Sequence, residues 1–157
     1  EKHRNKISLR TLAKTKKLTE NFIKKYASEI NWSNISAYQS LSEEFIREFK
    51  NKVKWTLISE HQKLSEDFIR KHQDILFPRH IWLYQNYSEE FIKEFEGEND
   101  IKLILMNKYT SKSFIRKNIS KITQNVLSDP RFRKKFTELE LIEIERIVTV
   151  KNLFTIS

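Results

Sequence analysis

Residues 41–55 read Leu41-Ser42-Glu43-Glu44-Phe45-Ile46-Arg47-Glu48-Phe49-Lys50-Asn51-Lys52-Val53-Lys54-Trp55. The Phe45-Ile46 pair recurs at Phe22-Ile23, Phe68-Ile69, Phe91-Ile92 and Phe114-Ile115, always 23 positions on. A fixed period of this size marks a tandem array, in which each unit is a small module that buries its apolar face on its neighbours. Ser42 precedes the acidic pair Glu43-Glu44, which reads as an N-cap followed by favourable charge in the first helical turn. Thr19, Ser65, Ser88 and Ser111 hold the same place in the other units. Leu41 and Ile46 have hydrophobic-staple spacing, as do Leu18 with Ile23, Leu64 with Ile69 and Tyr87 with Ile92; Thr110 with Ile115 is the weakest.

The stripe Phe45, Ile46, Phe49, Val53 predicts a first helix of roughly three turns. A second, shorter helix follows, carrying Trp55, Ile58 and His61 and closed by Gln62. Trp32, Ile35, Tyr38 and Gln39 repeat that set, and Pro78, Ile81, Tyr84 and Gln85 vary it. The fourth unit keeps Ile101 and Ile104 but loses the glutamine. The recurring glutamines are expected to bond backbone groups where the two helices meet. Helices this short are unstable alone, so stacking must supply the stability.

The expected fold is an all-α solenoid of five stacked two-helix repeats with a C-terminal capping helix. The repeats are 18–40, 41–63, 64–86, 87–109 and 110–132, within a single domain spanning 1–157. A partial unit occupies 1–17, and a capping segment occupies 133–157. Asp129-Pro130 reads as an N-cap with proline at the first helical position. Thr137-Glu138-Leu139-Glu140 has capping-box spacing and opens a helix expected over 138–150, with a strand over 139–147 as the alternative.

One glycine and two prolines in 157 residues disfavour sheets and elaborate loops. The absence of cysteine excludes disulfides and thiolate chemistry. No apolar run approaches the ~20 residues of a membrane span, and no signal peptide is seen. The expectation is therefore an intracellular protein, cytoplasmic or nuclear in a host cell, with no membrane association. An opening at Glu1 suggests a piece of a longer chain.

The net charge is +9. It is concentrated at two places, about +6 over 1–17 and about +8 over 107–136, while the middle is slightly acidic. Lys24, Arg47, Arg70, Lys93 and Arg116 hold one position in all five units. Stacked, they would form a basic ladder able to track phosphates. Glu20, Glu43, Glu66 and Glu89 stand four residues earlier, so the ladder reads first as exposed i, i+4 ion pairs and only second as a ligand contact; only Arg116 lacks such a mate. Lys117, Lys121, Arg131, Arg133, Lys134 and Lys135 have few local acidic partners, and the last four interleave with Phe132 and Phe136. They are candidate contacts for nucleic acid or an acidic protein.

The repeated phenylalanines, Trp32 and Trp55 are expected in the core, while Trp82 is off their register. His61 and His72 take places held elsewhere by aromatic residues and read as packing substitutions. The acidic stretch Glu94–Asp100 lacks calcium-loop spacing. No catalytic, metal or cofactor signature is present, and no recognition code is visible at Ser33-Asn34, Thr56-Leu57, Arg79-His80 or Lys102-Leu103.

The motif at 41–55, with Ile58, Ser59 and Gln62, resembles short tandem repeats in predicted proteins of giant DNA viruses and large phages. The resemblance covers about residues 18–127, and it implies a viral or phage origin and no catalytic residue. The expected function is a non-enzymatic scaffold that binds a partner protein. The alternatives are nucleic-acid binding through the ladder and the 107–136 region, or a targeting arm of an enzyme.

Overall fold

The computed structural model describes residues 9–95 and 101–154. Lys2, Arg4 and Lys6 of the N-terminal cluster, the part of the partial unit 1–17 ahead of Leu9, and residues 96–100 of the acidic segment lie outside them. Among the described residues the fold is all-α, with thirteen α-helices, one 3-10 turn and no strand. The chain divides into two compact units, residues 1–80 and 81–157.

The first unit contains α1 (Leu9–Thr15), α2 (Glu20–Lys25), α3 (Trp32–Tyr38), α4 (Glu43–Glu48), α5 (Trp55–His61) and α6 (Glu66–Lys71). The helix α7 (Pro78–Tyr84) contains the boundary. Thr19, Ser42 and Ser65 each accept a hydrogen bond from the amide three residues on, at 3.3, 3.1 and 3.1 Å. These caps start α2, α4 and α6 where the sequence places them. The helices end sooner than the three turns expected, after six residues each. Tyr26, Phe49 and His72 leave helical geometry, with ψ near +20°, and a further turn follows that returns Ile30, Val53 and Leu76 to the core.

Ile23, Phe45, Ile46, Phe68 and Ile69 are buried, and Phe22 is half-buried. Full burial of such a side chain contributes about 1.5–3 kcal/mol. α1 packs on α3, and α3 on α5. Trp32 and Trp55 are half-buried rather than core: each lies against the loop that precedes its helix, its indole N–H donating to Ala27 O or Lys50 O at 3.0 Å. His72 does pack as an aromatic, stacked on Phe68 with ring centroids 4.1 Å apart. His61 does not; its side chain is exposed beside Glu60.

The glutamines join successive repeats. Gln39 donates through Nε2 to Ala13 O at 2.6 Å and Lys16 O at 2.9 Å, and accepts from Leu18 N at 2.7 Å. Gln62 does the same one repeat later, to Ser36 O and Gln39 O, both at 2.8 Å, accepting from Leu41 N at 3.0 Å. Each buried amide thus satisfies the carbonyl end of the preceding repeat's second helix and the chain that leaves it. A second joint comes from buried serines. Ser36 Oγ accepts from Lys54 N at 3.0 Å, and Ser59 Oγ from Phe77 N at 3.1 Å.

The second unit contains the end of α7 and α8 (Glu89–Phe95), α9 (Ile101–Met106), α10 (Lys112–Lys117), α11 (Gln124–Ser128), α12 (Pro130–Arg133) and α13 (Glu138–Phe154). A 3-10 turn spans Ile119–Lys121. Ser88 and Ser111 cap α8 and α10 through the Phe91 and Phe114 amides, at 3.1 and 3.0 Å. Phe91, Ile92, Phe114 and Ile115 are buried, as are their counterparts other than Phe22. Trp82, off the tryptophan register, is the buried one, at 4% exposure.

No glutamine closes the fourth repeat, but an asparagine takes over its bonds. Asn107, one position short of the 23-residue register, donates to Trp82 O at 2.9 Å, Gln85 O at 2.8 Å and Tyr87 Oη at 3.0 Å. Its Oδ1 accepts from Tyr109 N at 2.8 Å. Asp129 caps α12, with Pro130 at the first helical position. The Thr137–Glu140 capping box forms in both directions, at 2.9 and 3.4 Å. The last segment is a helix, not a strand, and runs four residues past 150. It seats Leu141, Ile144 and Val148 in the core and packs on the 3-10 turn.

Candidate functional site

The cations singled out in the sequence fall mostly into structural roles. In the first unit, Lys24 Nζ pairs with Glu48 of the following repeat and lies 5.8 Å from the centre of the Phe45 ring. Arg47 pairs with Glu44 at 2.8 Å and lies 5.7 Å from the Phe68 ring. Each of these two rungs therefore covers the buried phenylalanine of the next repeat, a cation–π placement that fixes its direction. Arg70 is held by Glu66 and Asp67, both at 3.4 Å.

The expected i, i+4 pairing is only part of the pattern. It holds for Arg70 with Glu66 and loosely, at 4.0 Å, for Arg47 with Glu43. Glu20 and Glu43 instead accept the N-cap amides of the next repeat, Ser42 N at 2.6 Å and Ser65 N at 2.7 Å. A carboxylate bonded to the amide of an N-cap residue satisfies a donor that the helix cannot.

In the second unit Lys93 is exposed on α8. Lys117 meets Glu89 at 3.6 Å. The 107–136 cations have few acidic partners nearby in sequence, but distant residues supply some of them. Glu140 of α13 accepts from Lys112 at 2.8 Å and from Arg116 at 3.2 Å, so Arg116 does have an acidic mate. The Lys112 ammonium and the Thr137 amide hold the Glu140 carboxyl down at about 2. Arg131 chelates Asp129 and depresses its pKa. Arg133 pairs with Glu145 at 2.7 Å.

Lys135 donates to Asn107 O and to Thr110 O, where the chain leaves α9 and its carbonyls need donors. Burial pulls the Lys135 ammonium down to about 8. Lys121 and Lys134 are exposed. The sequence could not show these pairings, because Glu140 and Glu145 lie on a helix whose seat is set by tertiary packing.

The surface formed by the second helices of the first unit is different in kind. α3 presents Asn34, Ala37 and Tyr38, and α5 presents Leu57, Glu60 and His61, all half-buried or exposed. Tyr38 stands 58% exposed, with Lys14 Nζ of α1 6.0 Å from its ring centre. The one carboxylate in this set, Glu60, lies 3.6 Å from His80 and 3.9 Å from His61. The sequence reading put Tyr38 and His61 at a recurring aromatic packing position, whereas the structure turns both outward.

In the second unit, Tyr87, Glu89, Ile92, Tyr109, Thr110, Ser111 and Phe114 line a cleft of about 120 Å³. That is well below the roughly 300–1,000 Å³ of a small-molecule site. Among the described residues no group of three or more His, Asp or Glu side chains is placed to hold a metal ion. No described helix is long and apolar enough to cross a membrane. No family model, curated protein or solved structure matches the chain.

Proposed function

We propose that this chain is a non-enzymatic helical-repeat scaffold, a short solenoid that binds a partner protein through the face of its second helices. The observation that carries the reading is the contrast between the two surfaces of the first unit. The cations that would grip phosphates are engaged by carboxylates and aromatic rings. The α3–α5 face offers tyrosine, asparagine, leucine and histidine at low charge density. Depletion of charge and enrichment in tyrosine mark the buried centre of protein interfaces, whereas polar, charged surface marks the rim. Repeat stacks use such side-by-side helices as extended docking surfaces. On the sequence resemblance, the partner is a component of a host cell or of a virus or phage.

The test places a photo-crosslinking residue at Tyr38 or at Arg47 and exposes each variant to host-cell lysate. The expected result is one discrete protein adduct from position 38 and none from position 47. The chain is also titrated with a random oligonucleotide at low and physiological salt. Steeply salt-dependent binding that is lost when Arg131, Arg133 and Lys134 are changed to Glu would overturn the proposal in favour of nucleic acid.

A further inference from the structure

The helix α13 buries Leu141, Ile144 and Val148 and turns a second apolar stripe away from the core. Leu139 is 79% exposed and Ile142 56%, and Ile147 and Val150 are exposed on the same side. At 100° per residue these four fall within about 140° of the helix circumference, opposite the buried set. Glu143 and Arg146 lie between them, both exposed and neither in an ion pair among the described residues.

The order of this stripe is the same read from either end with the charges exchanged. Leu139 and Val150 are equidistant from the midpoint between Ile144 and Glu145. So are Ile142 and Ile147, and so are Glu143 and Arg146. An antiparallel pair of such helices about a two-fold axis would set Leu139 level with Val150 of the other copy, and Ile142 level with Ile147. Glu143 would stand level with Arg146, twice, near the centre of the seam. A parallel pair would set Glu143 beside Glu143 and Arg146 beside Arg146. Isologous contacts of this self-complementary kind are the commonest route to a homodimer.

We infer that the outer face of α13 is a self-association site whose occupant is the same face of a second copy, antiparallel, with Glu143–Arg146 pairs setting the register. The stripe is short, spanning about 16 Å of helix. The buried area is correspondingly small, and the dimer forms in the micromolar range rather than the nanomolar.

Analytical ultracentrifugation of the 157-residue chain across micromolar concentrations tests this, with circular dichroism confirming that each variant is folded. The wild type should shift from monomer to dimer as concentration rises. Ile142→Asp, an exposed position, should raise the dissociation constant at least tenfold. Glu143→Arg alone and Arg146→Glu alone should each weaken the dimer, because like charges then face each other. The double exchange E143R/R146E should restore it, and an equimolar mixture of the two single variants should form a heterodimer. A monomer at every concentration overturns the inference. So does a dimer that the two single charge variants leave unchanged, or one that the double exchange fails to restore.

Discussion

In residues 1–80 the joint between repeats is a glutamine, and in residues 81–157 it is an asparagine. Gln39 and Gln62 reach two carbonyls of the preceding repeat and accept the amide at which the next unit starts. Asn107 reaches two equivalent carbonyls, but its side chain is one methylene shorter and its backbone one residue earlier in the repeat. Tyr87, standing where the first three units have leucine, adds a hydroxyl to the set. The cations differ in the same way. Lys24 and Arg47 cover the phenylalanine of the next repeat, whereas Arg116 turns to Glu140 on α13. Two physical requirements recur from unit to unit. The polar end of one helix pair must be satisfied, and a Phe-Ile pair must be buried against it. The residue that meets the first requirement is free to change.

The largest effects should come from the shared spine. Phe45→Ala and Phe91→Ala should each cost about 3–5 kcal/mol in urea unfolding, since both side chains are fully buried. A large difference between them would break the equivalence of the two regions.

Next come the joints. Gln62→Ala and Asn107→Ala should each cost about 2–4 kcal/mol, because buried carbonyls and amides lose their partners. Asn107→Gln should not be silent. The longer side chain at the shortened register should cost about 1–3 kcal/mol through overpacking, and a neutral result would mean that the offset is incidental.

Ser65→Ala and Ser111→Ala remove one cap bond each and should cost about 1 kcal/mol, read by thermal denaturation.

The smallest effect is that of Glu140. Its folded pKa of about 2 lies below the unfolded value of 4.5, so its contribution is present in full above pH 4.5 and is lost as pH falls toward 2. Glu140→Gln should flatten the acid limb of the stability profile over that window. Added salt should shrink the difference between the two proteins.

Much of this architecture was legible in the residues alone. The Ser-Glu-Glu-Phe-Ile stretch carries a cap, a favourable dipole charge and a core pair within a few positions, so helix starts could be placed from local chemistry. The Thr137–Glu140 box and the Asp129-Pro130 start were readable for the same reason. Helix ends were not. Phe49 and Val53 fit a helical stripe, and only the turn after α4 shows that the chain leaves the helix at Phe49 and still returns Val53 to the core. The burial of Trp82 and the bonds of Asn107 were missed because both residues sit off the 23-residue register. The partners of Lys112, Arg116 and Arg133 were not legible, because Glu140 and Glu145 become their neighbours only when α13 packs.

Amide hydrogen exchange tests the central claim, that the buried side-chain amides of Gln39, Gln62 and Asn107 each clip a repeat to the segment before it. Leu41 N donates to Gln62 Oε1, and Leu18 N to Gln39 Oε1. In Gln62→Ala the Leu41 amide should lose its protection while the Leu18 amide keeps it. Leu41 protection unchanged by the loss of Gln62 would contradict the claim.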